Sequence, residues 1–418
     1  MKQPIIHSTF KPVFAQVKST KLGAITSYYL NDPKCDICKI EWLFPVGTKN
    51  QDKPLVANAC ANLLLEGTIH LNSRDFSTRL DELGAYFNVE CGKDFTTFTL
   101  HVLTNQLKEA LIIVLPIFNK PTLSEVEFAN LKTELKQDFE QNLQKGSFVA
   151  QQKLMNSLFP NHPYGKTAKL EDFDLLELSD IKKFANQHFI NQKFTLYLSG
   201  NSDENVLSIL KDEIGKLSIL NNLEKPENSL LVESLKGVQK IKHQFAQQDS
   251  LKLGQIIPNY SHKDFSAISI VNTILGGYFG SRLMQNIREE KGWTYGISSS
   301  IVPSVDACYL IISSDILQNK GMEALDEIKT EILSLHHELV PIEELNAVKS
   351  YLKGNLLRSF DGVFEQMDKF ISVNLFGLTQ QHYLEYIDLL DKITPEDIQN
   401  IAQKYFKPEN LTQILVQK

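Results

Sequence analysis

Few side chains in this sequence stand at spacings that do chemistry unaided, and those that do stop short of a complete site. Cys35-x-x-Cys38 is half of a four-cysteine zinc site, but no second pair follows and no thioredoxin-like context surrounds it, so a structural role fits these thiols. His336-His337-Glu338 offers two imidazoles and a carboxylate. Adjacent positions on a helix diverge by about 100°, however, which sends the rings to different faces and makes a polar helix end the better reading. The chain has no G-x-S-x-G elbow to present a nucleophilic serine and no G-x-x-x-x-G-K-[ST] loop to cradle phosphates.

The bulk properties set the frame for any site. At 418 residues the chain exceeds the size at which one core stops growing, so two domains are expected. A hydrophobic share of 42% and a charged share of 22% are those of an ordinary globular protein. The net charge of -7 is spread along the chain without a basic block, which argues against nucleic acid as a partner. Met1–His7 has no apolar core of signal-peptide length, and no stretch reaches the roughly 18 apolar residues of a membrane span, so a cytoplasmic location and no membrane partner are expected. Five cysteines, an odd number, suit a reducing compartment better than a disulfide framework.

The elements that must position a site read as two copies of one plan. Asp36-Ile37-Cys38-Lys39-Ile40-Glu41-Trp42-Leu43-Phe44-Pro45 lies in register with Asp249-Ser250-Leu251-Lys252-Leu253-Gly254-Gln255-Ile256-Ile257-Pro258. Both read as strands ended by a proline, which cannot continue a ladder. A helix follows each: Leu55–Leu65, stopped by Gly67, and Phe265–Leu275, stopped by Gly276-Gly277. Further strands at Thr96–Val102 and Ala307–Ile312, and long helices through Glu127–Lys132 and Glu344–Lys349, extend the match. Each half is then α+β, a mainly antiparallel sheet with helices packed on one face. The expected division is 1–220 for the first domain, 221–236 for a polar linker and 237–418 for the second.

A strand, a loop, and a helix ending in glycine before Thr68 resemble the inverzincin peptidases of the pitrilysin and mitochondrial-processing-peptidase family, over nearly the whole chain. That family carries H-x-x-E-H on this helix, two histidines on one face for zinc and a glutamate that activates the metal-bound water. At the matching positions stand Asn58, Ala59, Cys60, Ala61 and Asn62. Neutral amides are poor zinc ligands beside imidazole or thiolate, and Ala61 has no proton acceptor, so metal and base are both lost. The family's third ligand, a glutamate on a later helix, falls on Asp138 when aligned through the turn Asn161-His162-Pro163-Tyr164-Gly165; without histidines beside it, a solvated surface aspartate is expected. Cys60 is a strong ligand type, but it points roughly half a turn off the Asn58/Asn62 face.

The second half keeps what the first has lost. Leu275–Gly296 looks like the most strongly patterned region of the family's second domain, and family members use an arginine and a tyrosine seven residues apart there to hold peptide near the zinc. Arg288 and Tyr295 have that spacing. A guanidinium offers several donors to carbonyl oxygens, and a tyrosine hydroxyl can donate to a developing oxyanion. Taken singly, Arg288 also fits a surface ion pair and Tyr295 a half-buried strand position. Gly276, Gly277, Gly280 and Gly292 either let a backbone or ligand approach closely or are plain turn residues. The resemblance implies that peptide adds as an extended strand to a sheet edge.

It also implies a division of labour. The expectation is a metal-free subunit of a heterodimeric zinc metallopeptidase, with no cofactor of its own. A zinc-bearing relative supplies H-x-x-E-H and the metal, while this chain closes the peptide-enclosing chamber and contributes Arg288 and Tyr295. The alternative is a purely structural or peptide-holding protein.

Overall fold

A computed structural model describes residues 14–220 and 232–418; the N-terminal reading of Met1–His7 and most of the expected linker, 221–231, lie outside the described residues. In chain order the first half has β1 (Lys18–Leu22), β2 (Ile25–Asn31), β3 (Ile37–Phe44), the short hairpin β4 (Gly67–Thr68) and β5 (Leu71–Asn72), β6 (Tyr86–Cys91), β7 (Thr96–Leu103) and β8 (Thr195–Gly200). The second has β9 (Gly237–Lys242), β10 (Asp249–Ile257), β11 (Thr294–Val302), β12 (Cys308–Ile316) and β13 (Thr412–Gln417).

The first sheet runs β1-β2-β8-β3-β7-β6 and the second β11-β12-β10-β13-β9. Reading the second backwards, β9, β13, β10, β12 and β11 occupy the places of β2, β8, β3, β7 and β6. Each sheet has one parallel pair at the same place, β2 with β8 and β13 with β9, and is otherwise antiparallel. The duplication read from two strand-proline segments therefore holds for the whole topology, with β1 as an added edge strand. Pro45 and Pro258 stand just beyond β3 and β10, where a missing N–H ends the ladder.

Side chains along a strand alternate between faces, and here both faces are covered. From β3, Cys38, Ile40, Trp42 and Phe44 enter the core under the first half's own helices. Leu43, from the other face, packs with Tyr197 and Met367 of the helix Val363–Asn374, which belongs to the second half. Lys39 on that face reaches Asp368 of the same helix at 2.5 Å, and the Tyr197 hydroxyl donates to Asn374 at 2.9 Å. Reciprocally, Ala150 and Leu154 of the helix Gly146–Leu158, from the first half, pack with Ile414 and Val416 of β13. Each sheet thus has its own helices on one face, as expected, and a helix lent by the other half on the opposite face.

The halves also meet in a polar node. The turn between β6 and β7 puts Lys93 and Asp94 against Phe159, His162 and Tyr164 of the first half and Asp306 and Tyr309 of the second. Asp94 pairs with Lys49 at 2.7 Å and accepts from the Tyr164 hydroxyl and the Val305 amide. Asp306 lies 3.4 Å from both Lys49 and His162. The Lys93 ammonium sits 5.0–5.5 Å from the ring centroids of Phe159, Tyr164 and Tyr309 and donates to the Tyr309 oxygen at 3.2 Å.

Burial pulls the Lys93 pKa down to about 8, with Asp94 opposing the fall. A folded-state value below lysine's ordinary 10.5 means that between these limits the unfolded chain holds the extra proton, so this group's contribution to stability rises with pH across that window. Lys93→Met removes the titration. Its stability relative to the parent is expected to fall as pH rises from 8 to 10.5, by an amount on the order of 3 kcal/mol over the window. Thermal midpoints of both proteins across that range measure it; a pH-independent gap would contradict the burial argument.

Candidate functional site

The helix Val56–Leu63 lies against the edge strand β6 and against the helices Glu125–Leu143 and Leu178–His188. Its first turn is held by Gln51, whose side-chain oxygen accepts from the Ala57 amide at 3.0 Å, while Leu55 before it is in the left-handed region at φ 74°. The helix ends at Leu63, short of the glycine taken as its stop. Gly67 instead begins the β4–β5 hairpin at φ 113°, where a Cβ would lie 2.5 Å from the Leu71 carbonyl oxygen. The requirement for glycine is real, but it belongs to the hairpin.

Asn58 and Asn62 share a face, as a four-residue spacing on a helix demands, and Asn62 is bonded back to Asn58. The Asn62 amide nitrogen donates to the Asn58 carbonyl at 2.8 Å and to the Asn58 side-chain oxygen at 3.2 Å. Ala61 is fully buried. The residues present do not fit a zinc ion: two neutral amides, one donating back to the other, stand where two imidazoles would be needed, and an apolar methyl stands where a base would act. Among the described residues, no group of three His, Cys, Asp or Glu side chains is placed to hold a metal.

Asp138 is exposed on the helix Glu125–Leu143, with no ion pair among the described residues. Cys60 is fully buried, donates toward the Ile181 carbonyl, and has its thiol pKa pushed far up by burial, the opposite of what a thiolate ligand needs. Cys38 is likewise buried with its pKa raised to about 11, and all five cysteines are free thiols. His336 is committed to the Phe406 carbonyl at 2.7 Å.

In the second half the helix Phe265–Asn272 passes into a π-helical turn, Thr273–Gly277, and a second π-helical turn covers Met284–Glu290. Gly276 and Gly277 therefore sit within a wide turn and are not left-handed caps. A Cβ on Gly276 would lie 2.7 Å from the Ser299 Cβ and 2.9 Å from the Ser299 nitrogen, so the turn rests directly on β11. The contact is pinned by Asn272, which donates to the Ser299 carbonyl at 3.0 Å and accepts from its hydroxyl. Gly280 lies under the Tyr278 ring, and Gly292, at φ 65°, makes the left-handed bend that leads into β11.

Arg288 and Tyr295 come out on adjoining elements. Arg288 belongs to the second π-helical turn, which packs on β11, and Tyr295 is the second residue of that strand. The Arg288 guanidinium lies 4.7 Å above the Phe279 ring and pairs with Glu289. Tyr295 is 93% exposed, at an irregularity in the β11–β12 pairing between Thr294 and Ile297. β11 is the edge of its sheet, so among the described residues one row of its backbone groups has no strand partner. The sequence reading missed the stacked Phe279; the signal was available only as an aromatic within the glycine cluster.

Two family models match the chain in order: insulinase (peptidase family M16) over residues 28–169 and the peptidase M16 inactive domain over 176–352. An uncharacterized zinc protease of Rickettsia felis is 24% identical over 398 residues, 92% of this chain and 93% of that protein. A non-peptidase homolog, YmxG, of Helicobacter pylori is 22% identical over 368 residues, 86% of this chain and 84% of its own length. The crystal structure of a protease from Helicobacter pylori superposes with a TM-score of 0.87 at 17% identity, covering 97% of this chain and all of that one. A peptidase M16 inactive domain structure from Pseudomonas fluorescens gives 0.84 at 20% identity, covering 96% and 99%. No helix among the described residues is long and apolar enough to cross a membrane.

Proposed function

Since the chain belongs to the M16 peptidase family, with an inactive-type domain, we propose that it is the metal-free subunit of a heterodimeric zinc peptidase. A related zinc-bearing chain supplies the metal and the base, and this one closes the chamber and lends Arg288 and Tyr295 to the shared site. The observation that carries the reading is the contrast between the halves. Asn62 is bonded back to Asn58, while Tyr295 stands 93% exposed on the edge strand against which the π-helical turn of Arg288 packs.

The roles follow from the side chains. Arg288, held over the Phe279 ring, presents its remaining N–H groups to peptide carbonyl oxygens, and the Tyr295 hydroxyl donates to charge developing on a carbonyl oxygen. An open strand edge takes an extended peptide by main-chain bonds, which tolerates many sequences. A second reading, a structural or peptide-holding subunit, draws on the Arg288–Glu289 pair, which already gives the guanidinium a partner. Co-expression with a zinc-bearing relative tests the proposal. A stable heterodimer by native mass that hydrolyses peptides, when neither chain does so alone, is the expected result; two separate monomers would sink it.

A further inference from the structure

Two hollows adjoin on the helical side of the second half, with volumes of about 470 and 270 Å³, and Leu356, Lys369 and Tyr386 line both. The first is completed by the end of the helix Ile342–Arg358, including Asn355 and Arg358, and the second by Tyr260, Phe265, Ile301 and Pro303. Ile301 lies six residues beyond Tyr295 on β11, roughly 20 Å at the usual rise per residue, so the hollows are separate from the Arg288–Tyr295 region.

Their chemistry is one-sided. Among the described residues no aspartate or glutamate lines either hollow, and neither Lys369 nor Arg358 forms an ion pair. The Lys369 ammonium is partly buried, and that burial pulls its pKa below the ordinary lysine value, with the neighbouring Asp368 carboxylate opposing the fall without offsetting it. Tyr260, Phe265, Ile301 and Pro303 offer apolar surface next to it. A cation held in an aromatic-lined recess, with no carboxylate lining it, favours a ligand that brings both a negative charge and an apolar body.

We propose that the joined hollows bind an organic carboxylate, its charged head between Lys369 and Arg358 and its apolar body against Tyr260, Phe265 and Ile301. Such a group is supplied by a free acid or by the C-terminal carboxylate of a short peptide, and the chemistry of recognition is the same. The site is independent of the subunit role above.

Titration calorimetry on the full chain tests it with three probes: octanoate, N-acetyl-Leu-Phe with a free carboxylate, and the same dipeptide as its C-terminal amide. At least one acid is expected to bind with a sub-millimolar Kd, the amide at least about tenfold more weakly than its acid, and Lys369→Met at least about tenfold more weakly than the parent, a difference of about 1.4 kcal/mol. Arg358→Gln, at an exposed helix end, is expected to weaken the same acid without unfolding the chain, and Lys369→Arg to preserve binding. Octanoate alone as the binder assigns the site to free acids, and the dipeptide acid alone assigns it to peptide termini. No binding by either acid at about 10 mM, equal binding of acid and amide, or unchanged affinity in both Lys369→Met and Arg358→Gln overturns the proposal.

Discussion

In the assembled heterodimer, Tyr295→Phe is expected to cut peptide turnover by about 10²–10³-fold, and Arg288→Ala to depress it comparably. Removing a single donor aimed at a developing oxyanion commonly raises the barrier by about 2.7–4 kcal/mol. The loss should fall on kcat more than on KM for Tyr295, whose bond strengthens as charge develops, and on both for Arg288, whose bonds to peptide carbonyls exist in the ground state as well. Neither change should unfold the chain or release the partner. Tyr295 loses only an oxygen from a ring that is 93% exposed, and Arg288 gives up a surface pair with Glu289, of a kind usually contributing little. Steady-state kinetics of the pair, with native mass and thermal midpoints as controls, decide the matter. Unchanged turnover in both variants would assign the chain a structural role only.

The second large effect lies in the first half. Ala61→Glu restores the residue type of the family's base, yet it should destabilise the isolated chain by roughly 3 kcal/mol, since a carboxylate forced into a fully buried position in place of a methyl must be desolvated. Asn58→His and Asn62→His, at half-buried positions, should cost far less, chiefly the mutual bonds of the two amides. Urea unfolding of the three single variants measures this directly. If Ala61→Glu proved as stable as the parent, the pocket around the helix Val56–Leu63 would have to be more open than the packing of Ala61 indicates.

Much of this organisation could be read from sequence because it is written in local signals. A strand that ends at Pro45 or Pro258, followed by an apolar helix, is specified by residues within a few positions of each other, and it recurs. The shared face of Asn58 and Asn62 was legible for the same reason: a four-residue spacing on a helix sets it whatever surrounds them. What could not be read is what each buried face is buried against. The apolar stripes of Gly146–Leu158 and Val363–Asn374 announce two packed helices, but nothing local says that each crosses to the other half's sheet. The π-helical turns were equally hidden, because they reflect hydrogen-bond register and close packing on Ser299, and Gly276 reads the same whether it ends a helix or rests on a strand. His162 and Tyr164 were visible only as part of a turn; their node with Lys49, Asp94 and Asp306 joins segments far apart in the chain.

On the proposed function this chain has no metal site of its own and depends on a partner for peptide hydrolysis. The most direct test is the zinc content of the purified chain after equilibration with zinc and removal of the excess, measured beside peptide turnover. Zinc far below one equivalent and no hydrolysis by the chain alone are expected, with both appearing once the zinc-bearing relative is added. One equivalent of zinc in the isolated chain, with hydrolysis that disappears in Asp138→Ala or Cys60→Ser, would contradict it.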